Sequence, residues 1–519
     1  MIFAVIRILA FSVYILGLVV TPLFRIFSKG KKQALAKIKN SLLNFSATEL
    51  AEKIRNQEIT SEEVVRAYIK RIQEVNPFIN AVIEDRFTEA IKDARKADSI
   101  CSKESSKEEL KEKFPLLGVP FTVKEACGLK GMSHVVGNQY REGMVSKEDG
   151  EVVKRTRNKG GIPLLVSANP EFCVSWETVT VQHGNCNNPY DTRRTSGGSS
   201  GGEGVLNASG ASVFGVGSDL GGSNRFPALF NGVYGHKPTG TLVSTKGHFP
   251  NVKDRRFDEM LVVGPLTRFP EDLSLLMDVF AGENAFQMEI PQVSHLKDLK
   301  VFHFDHSFSI YHLPVQKDIR GKMSDALNFF ESKGSSLELL EFEEMNDMLG
   351  VFYSTLMTHE RPPNVLMDPK NPNKYIFPAL ELIKFYLGYS KHSLPAIYFR
   401  MMFELTTNFP NSWLKSSIKR KADLEKKLLE KLGKNGVLIF PTFHMTAFLH
   451  NTSSFHALGA LYSGVFNMFG FPALHVPMGL NKNGLPVGFQ VIAGPYQDKL
   501  CFYVAKELEK EFGGWVPPS

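Results

Sequence analysis

An α/β fold, with helices covering a mixed β-sheet in one large domain, is what the 519-residue sequence predicts, on three observations. Helical patterns and short apolar runs alternate through much of the chain, as they do where strands lead into covering helices. Neither an internal repeat nor an inter-domain linker divides it. Its composition, 43% hydrophobic and 22% charged, argues against a collagen, a long disordered chain and a polytopic membrane protein. A chain of this length buries about three quarters of its unfolded surface and needs no disulfide or metal to fold. The net charge of +7 is spread over 61 basic and 54 acidic residues, too diffuse to indicate a nucleic-acid partner. Five cysteines, Cys101, Cys127, Cys173, Cys186 and Cys501, contain no C-x-x-C pair. So sparse and odd a set argues against a disulfide scaffold or a zinc site and fits a reducing compartment. Forty phenylalanines suit a large core or an apolar ligand cavity.

From the N-terminus, Ile8 to Phe24 is uncharged, with Arg7 the only charge before it. As a helix those 17 residues span about 25 Å, slightly short of a ~30 Å hydrocarbon core unless the residues before Arg7 contribute. A cleaved signal peptide is the rival reading. Val19-Val20-Thr21-Pro22-Leu23 offers no small-x-small cleavage site, so a retained membrane anchor over residues 2–24 is expected. Arg25, Lys29, Lys31, Lys32, Lys37 and Lys39 follow it, which by the positive-inside rule puts the body of the protein on the cytosolic side. Residues 1–40 are thus read as anchor plus basic linker, and residues 41–519 as the folded domain. Glycosylation sequons at Asn44, Asn207 and Asn451 are near the chance number and do not alter this.

Ser46-Ala47-Thr48-Glu49 and Thr60-Ser61-Glu62-Glu63 read as capping boxes. The second opens a helix with Val64, Val65, Tyr68, Ile69, Ile72 and Val75 on one face, expected to end before Pro77. A strand over Ile79 to Ile83, a further helix and a charged surface segment from Cys101 to Lys113 follow. Near the C-terminal third, 376–409 is apolar and aromatic-rich, with breaks expected at Gly388 and Pro395. Two readings are open there: a pair of helices lying in a membrane interface, or a pair of core helices.

Thr195-Ser196-Gly197-Gly198-Ser199-Ser200-Gly201-Gly202-Glu203 has the composition of a flexible linker. Apolar sequence resumes at once, at Val205-Leu206 and Val213-Phe214, which argues for structure. The G-x-S-x-G spacing of a nucleophile elbow is also met, but an elbow needs a buried strand before it, and Asp191-Thr192-Arg193-Arg194 cannot form one. Downstream, Gly215 to Arg225 spaces its glycines as G-x-G-x-x-x-G, which is not a dinucleotide fingerprint, so no cofactor is expected. It reads as a tight loop, in which Gly221 and Gly222 let backbone N–H groups converge on a ligand beside a serine, as in an oxyanion hole. A serine needs a base, and no His/Asp pair has a recognisable spacing. Upstream, Leu117 to Val123 is a short apolar strand ending in Lys124. Most such lysines are solvated strand ends, but a buried one has its pKa lowered by desolvation and acts as a neutral base.

Lys124, the Gly/Ser run and the Gly-Gly-Ser loop, in this order, resemble the amidase signature family of Ser-Ser-Lys hydrolases. The resemblance extends through Asn188-Pro189, Arg194-Thr195, Phe226-Pro227-Ala228, Gly235 to Thr239, Gly470 to Ala473, Gly484 to Gln490 and Asp498, from about Phe45 to the end. It implies a mixed, twisted sheet with helices on both faces. It implies Ser223 as nucleophile, Ser199 as relay serine after a cis peptide bond, and Lys124 as ultimate base. The backbone N–H groups of Leu220, Gly221, Gly222 and Ser223 would bind the oxyanion, with Ser200, Asp219 and Arg225 in support. Three positions depart from the commonest pattern: Asn224, Gly161 and Asn231 stand where Ile, Ala and Cys are usual. Asn224, beside the nucleophile, puts catalytic efficiency in question.

Within the family the N-terminal apolar segment, Thr122 to Ala126, Phe230-Asn231-Gly232 and Phe512 to Val516 are similar to fatty-acid amide hydrolases of the second vertebrate type. That implies hydrolysis of primary fatty amides and N-acylethanolamines at membranes, of the endoplasmic reticulum or of lipid droplets. Residues 2–24 and 376–409 would be the lipid contacts, and a homodimer is left open. Three alternatives stand beside it: a small-amide hydrolase of the same fold, an amidotransferase A-type subunit, and a catalytically idle, membrane-bound lipid binder.

Overall fold

Eleven strands form one mixed sheet in a computed structural model, which describes residues 12–20, 32–103, 106–251, 254–304, 313–342, 345–346, 348–358, 365–366, 375–406 and 411–518. In chain order they are β1 (Val82–Asp85), β2 (Pro120–Lys124), β3 (Ile162–Ser167), β4 (Phe214–Asp219), β5 (Tyr234–Lys237) and β6 (Val262–Thr267). Then come β7 (Lys300–His303), β8 (Ser336–Leu339), β9 (Gly436–Phe440), β10 (Ala473–Leu480) and β11 (Pro486–Ile492). Across the sheet they run β1-β3-β2-β4-β6-β5-β10-β11-β9-β7-β8. The trio β3-β2-β4 is parallel, as is β9-β7-β8, and antiparallel pairs join the two. Burial explains the composition of each strand. Strands β2, β3, β4, β6, β9 and β11 are buried along their whole length, whereas the edge strands β1 and β8 are largely exposed. Only strands covered on both faces can run apolar without interruption.

Both capping boxes form: Ser46 and Glu49 bond reciprocally, as do Thr60 and Glu63. The helix from the second box spans Ser61–Ile79 and does not stop before Pro77. Pro77 sits in the last turn, where it forfeits one hydrogen bond, while buried Val75 and Ile79 hold that turn to the core. Asn80 ends it in the left-handed conformation, φ 50°, and the strand therefore starts at Val82 rather than Ile79. The Cys101–Lys113 segment contributes to two helices, Phe87–Lys103 and Lys107–Lys113, that bury Cys101 and Leu110. Asn207, in one of the sequons, is fully buried.

Part of the expected glycine loop is strand. Gly215 and Gly217 lie in β4, where a Cβ would collide with the Glu203 carboxylate and the Asn224 side chain. The Gly/Ser run is no linker either, because Gly201 opens the buried helix Gly201–Ala208. A Cβ at Gly202 would stand 2.6 Å from the backbone N of Ala168, so only glycine lets this helix dock behind β3.

Of the 376–409 stretch, residues 407–409 lie outside the described residues, and the rest is neither wholly core nor wholly outward-facing. Helices Pro378–Tyr386 and Leu394–Thr406 are separated at Gly388, φ 79°, while Pro395 lies in the first turn of the second, where proline is tolerated. Ala396 and Ile397 are core residues against Phe172. Phe377, Leu380, Ile383, Tyr386, Leu387 and Tyr389 face outward, 52–78% exposed. Of the expected anchor, residues 12–20 are described and helical, with Gly17 against the Phe455 side chain, and the rest of 2–24 lies outside the described residues. Among the described residues no helix is long and apolar enough to cross a membrane.

Candidate active site

Strands β2 and β4 are adjacent and parallel, so their carboxyl ends meet, the usual position of a ligand crevice in such sheets. Lys124 ends β2, and Ser218-Asp219 ends β4. Lys124 is fully buried, and its Nζ lies 2.7 Å from Ser199 Oγ and 2.9 Å from Ser218 Oγ. It is not a solvated strand end. Ser199 follows a cis peptide bond from Gly198, as the resemblance implies.

The loop of Ser223 is tied to this turn from both sides. Ser200 N donates to the Ser223 carbonyl at 3.1 Å, and Ser200 Oγ donates to Asn224 Oδ1 at 3.0 Å. Ser223 is half-buried, whereas Ser199 and Lys124 are sealed, so Ser223 is the member of the set that a substrate can reach. Asn224 points away from the crevice. Its amide donates to the carbonyls of His236 and Gly264, each at 3.2 Å, and a branched apolar side chain there could make none of these bonds. Asn231 serves similarly, bonding the carbonyls of Ser196 and Pro227, and Gly161 has Thr156 too close for a Cβ.

Asp219 and Arg225 are a fully buried pair, not a surface one. Burial pushes the Asp219 carboxyl up, but the Arg225 charge and bonds from Arg225, the Gly222 N–H and Asn467 outweigh it. The net result is a carboxyl well below the usual carboxylate range. Arg225 also donates to Gln490 Oε1 at 2.7 Å, Asn467 Oδ1 at 2.5 Å and the Ser463 carbonyl at 3.1 Å. Removing either partner would strand a buried charge, at a cost of about 3–5 kcal/mol. This fixed pair holds the turn from Leu220 to Ser223. One expectation changes in consequence: the Gly222 N–H is spent on Asp219 Oδ1 at 2.7 Å. The N–H groups of Leu220, Gly221 and Ser223 have no partner among the described residues. Three backbone donors left over in one turn beside a serine suit a developing oxyanion.

Sequence reasoning missed four residues: Ser218, His248, Asn467 and Gln490. Ser218 lies within the recognised Gly215 to Arg225 stretch, but its contact with Lys124 depends on the β2–β4 pairing. His248 Nε2 lies 2.9 Å from Ser218 Oγ and belongs to a loop with no periodic signal. Among the described residues no group of three or more His, Cys, Asp or Glu side chains is arranged to hold a metal ion.

The Amidase family model matches residues 63–502. The chain is 38% identical to Fatty-acid amide hydrolase 2-B of Danio rerio, over 96% of this chain and 95% of that protein. It is 36% identical to Fatty-acid amide hydrolase 2 of Homo sapiens, over 92% of this chain and 91% of that one. A solved fatty acid amide hydrolase superposes with a TM-score of 0.71 at 22% identity, covering 92% of this chain and 86% of its own.

Proposed function

The chain belongs to the Amidase family and is a hydrolase of amide carbon–nitrogen bonds, and from that premise we propose that it cleaves long-chain fatty-acid amides at a membrane surface through a Ser-Ser-Lys acyl-enzyme. The observation that carries the mechanism is the buried Lys124–Ser199 contact of 2.7 Å beside the loop of Ser223. Neutral Lys124 takes the proton of Ser199 as Ser199 takes that of Ser223, whose oxygen attacks the amide carbon. The N–H groups of Leu220, Gly221 and Ser223 stabilise the oxyanion; one such donor is typically worth about 10²–10³ in kcat. The proton returns along the same path to the leaving nitrogen, so that ammonia or a neutral amine departs. Water, deprotonated by the same relay, then releases the fatty acid and restores Ser223.

The substrate class is supported by the two relatives, whose names specify fatty-acid amides, and by aromatic packing next to the nucleophile. Phe226 and Phe230 follow Ser223 and pack with Phe443 and Phe448. The membrane side is supported by the outward row Phe377, Leu380, Ile383 and Tyr386, and by the exposed Ile15, Leu16, Leu18 and Val19. Apolar side chains in such rows gain free energy by entering an interface.

One assay tests the proposal: hydrolysis of oleamide, an N-acylethanolamine and a short amide, each offered in detergent and in lipid vesicles. Four buried methylenes alone supply about 3 kcal/mol, so the long-chain amides are expected to exceed the short one at least roughly two-hundredfold in kcat/KM. Serine at Phe377, Ile383 and Tyr386 together is expected to lower the vesicle rate and leave the detergent rate intact. Equal rates on short and long amides would refute the substrate class, and vesicle rates indifferent to the triple substitution would refute the surface.

A further inference from the structure

Lys124 has a neighbour that the proposed reaction does not use. Ser218 Oγ lies 2.9 Å from Lys124 Nζ and, on its other side, 2.9 Å from His248 Nε2. The far nitrogen of that ring, Nδ1, is 3.1 Å from the carbonyl oxygen of Pro250. A carbonyl can only accept, so Nδ1 carries the ring proton. Burial is the larger cause that pushes the imidazole down, to about 3 while Lys124 is charged, and burial acts whether or not Lys124 has given up its proton, so the ring is neutral at working pH. Its Nε2 therefore offers a lone pair and no proton.

The polarity of the whole chain of bonds follows from that. Ser218 has one hydroxyl proton, and Nε2 takes it. Toward Lys124, Ser218 has only lone pairs left, so it must accept an N–H of the amine. A neutral amine has two N–H bonds and one lone pair. With one N–H held by Ser218, the lone pair is free to face Ser199, 2.7 Å away, and to receive its proton. Without the ring, the Ser218 hydroxyl can turn and donate to the amine itself, competing with Ser199 for the one lone pair. We infer that His248 is a positioning residue, which acts through Ser218 to reserve the Lys124 lone pair for Ser199. His248 is 5% exposed and Ser218 is 2% exposed, so they act from behind the crevice.

This assignment rests on Lys124 serving as the base, and the test separates the two. The full chain is treated with a fluorophosphonate, and the labelling rate of Ser223 is measured in the wild type, His248→Ala, His248→Gln, Ser218→Ala and the Ser218→Ala/His248→Ala double variant. His248→Ala is expected to slow labelling about tenfold to a hundredfold, the scale of a misdirected reacting group, and to lower kcat on an amide with KM little changed. His248→Gln, whose Oε1 lies as many bonds from the backbone as Nε2 and also accepts, is expected to recover most of that rate. The double variant should be no slower than the slower single one, because both remove the same chain of bonds. Labelling of His248→Ala at the wild-type rate would overturn the assignment and leave the proposed function standing, as would effects that multiply in the double variant. Absence of label on wild-type Ser223 would overturn both. If His248→Ala does not melt cooperatively, His248→Gln against His248→Leu carries the comparison: equal slowing of the two overturns the assignment, and a faster Gln variant supports it.

Discussion

Ser223→Ala is expected to abolish turnover, with kcat falling by about 10⁵–10⁶, the loss typical of deleting a serine nucleophile. The fold should not suffer. Ser223 is half-buried, and its described hydrogen bond is accepted by the backbone carbonyl from Ser200, which alanine keeps. A fluorophosphonate should label the wild type at Ser223 alone and leave Ser223→Ala unlabelled. Since Ser199 is buried and already engaged by Lys124, it cannot substitute. Label on Ser199 or Ser218 would move the nucleophile and with it the whole site.

Lys124→Ala carries the second large effect, a fall in kcat of about 10²–10⁴, the usual worth of a positioned general base. The cavity left by a fully buried lysine would also destabilise the sheet, so Lys124→Met, nearer in volume, is the cleaner variant. In either variant the amine that draws hydrogen from Ser199 is gone. The residual rate is then expected to climb with hydroxide concentration across the pH range, unlike that of the wild type. A variant that keeps the wild-type pH profile would reduce Lys124 to a structural role.

The proposed reacting groups could be singled out from the sequence because they lie in short, ordered stretches whose residue types have few uses. A lysine closing an apolar strand, a Gly/Ser run leading into a helix and a Gly-Gly-Ser turn are each ambiguous, but together they are not. What the sequence could not supply was the connection between them. The contact of Lys124 with Ser218 exists because β2 and β4 run side by side, pairing Thr122 with Gly215 from a distant part of the chain, and no local pattern encodes that register. The same holds for Arg225, whose partners Asn467 and Gln490 come from far along the chain.

Local rules failed where tertiary contacts outweighed them. Pro77 should end its helix, yet core burial of Val75 and Ile79 keeps the turn. Gly215 and Gly217 suggested a loop, but they are strand residues made small by Glu203 and Asn224. Asn224, a departure from the commonest pattern beside Ser223, is a brace of the loop, since an amide can satisfy two carbonyls and a hydroxyl at once. The stretch 376–409 defied a single reading because one of its helices buries Ala396 and Ile397 while the other turns Phe377 and Tyr386 outward. Periodicity reports that a face is apolar and cannot say what covers it.

Whether an acyl group is ever held by the chain decides the account more directly than any rate. The wild type, mixed with a long-chain amide and acid-quenched within its first turnovers, should yield a peptide containing Ser223 that is heavier by one fatty acyl group less one hydrogen. An acyl group found on a different residue, or full turnover with none trapped while free water attacks the amide directly, would contradict it.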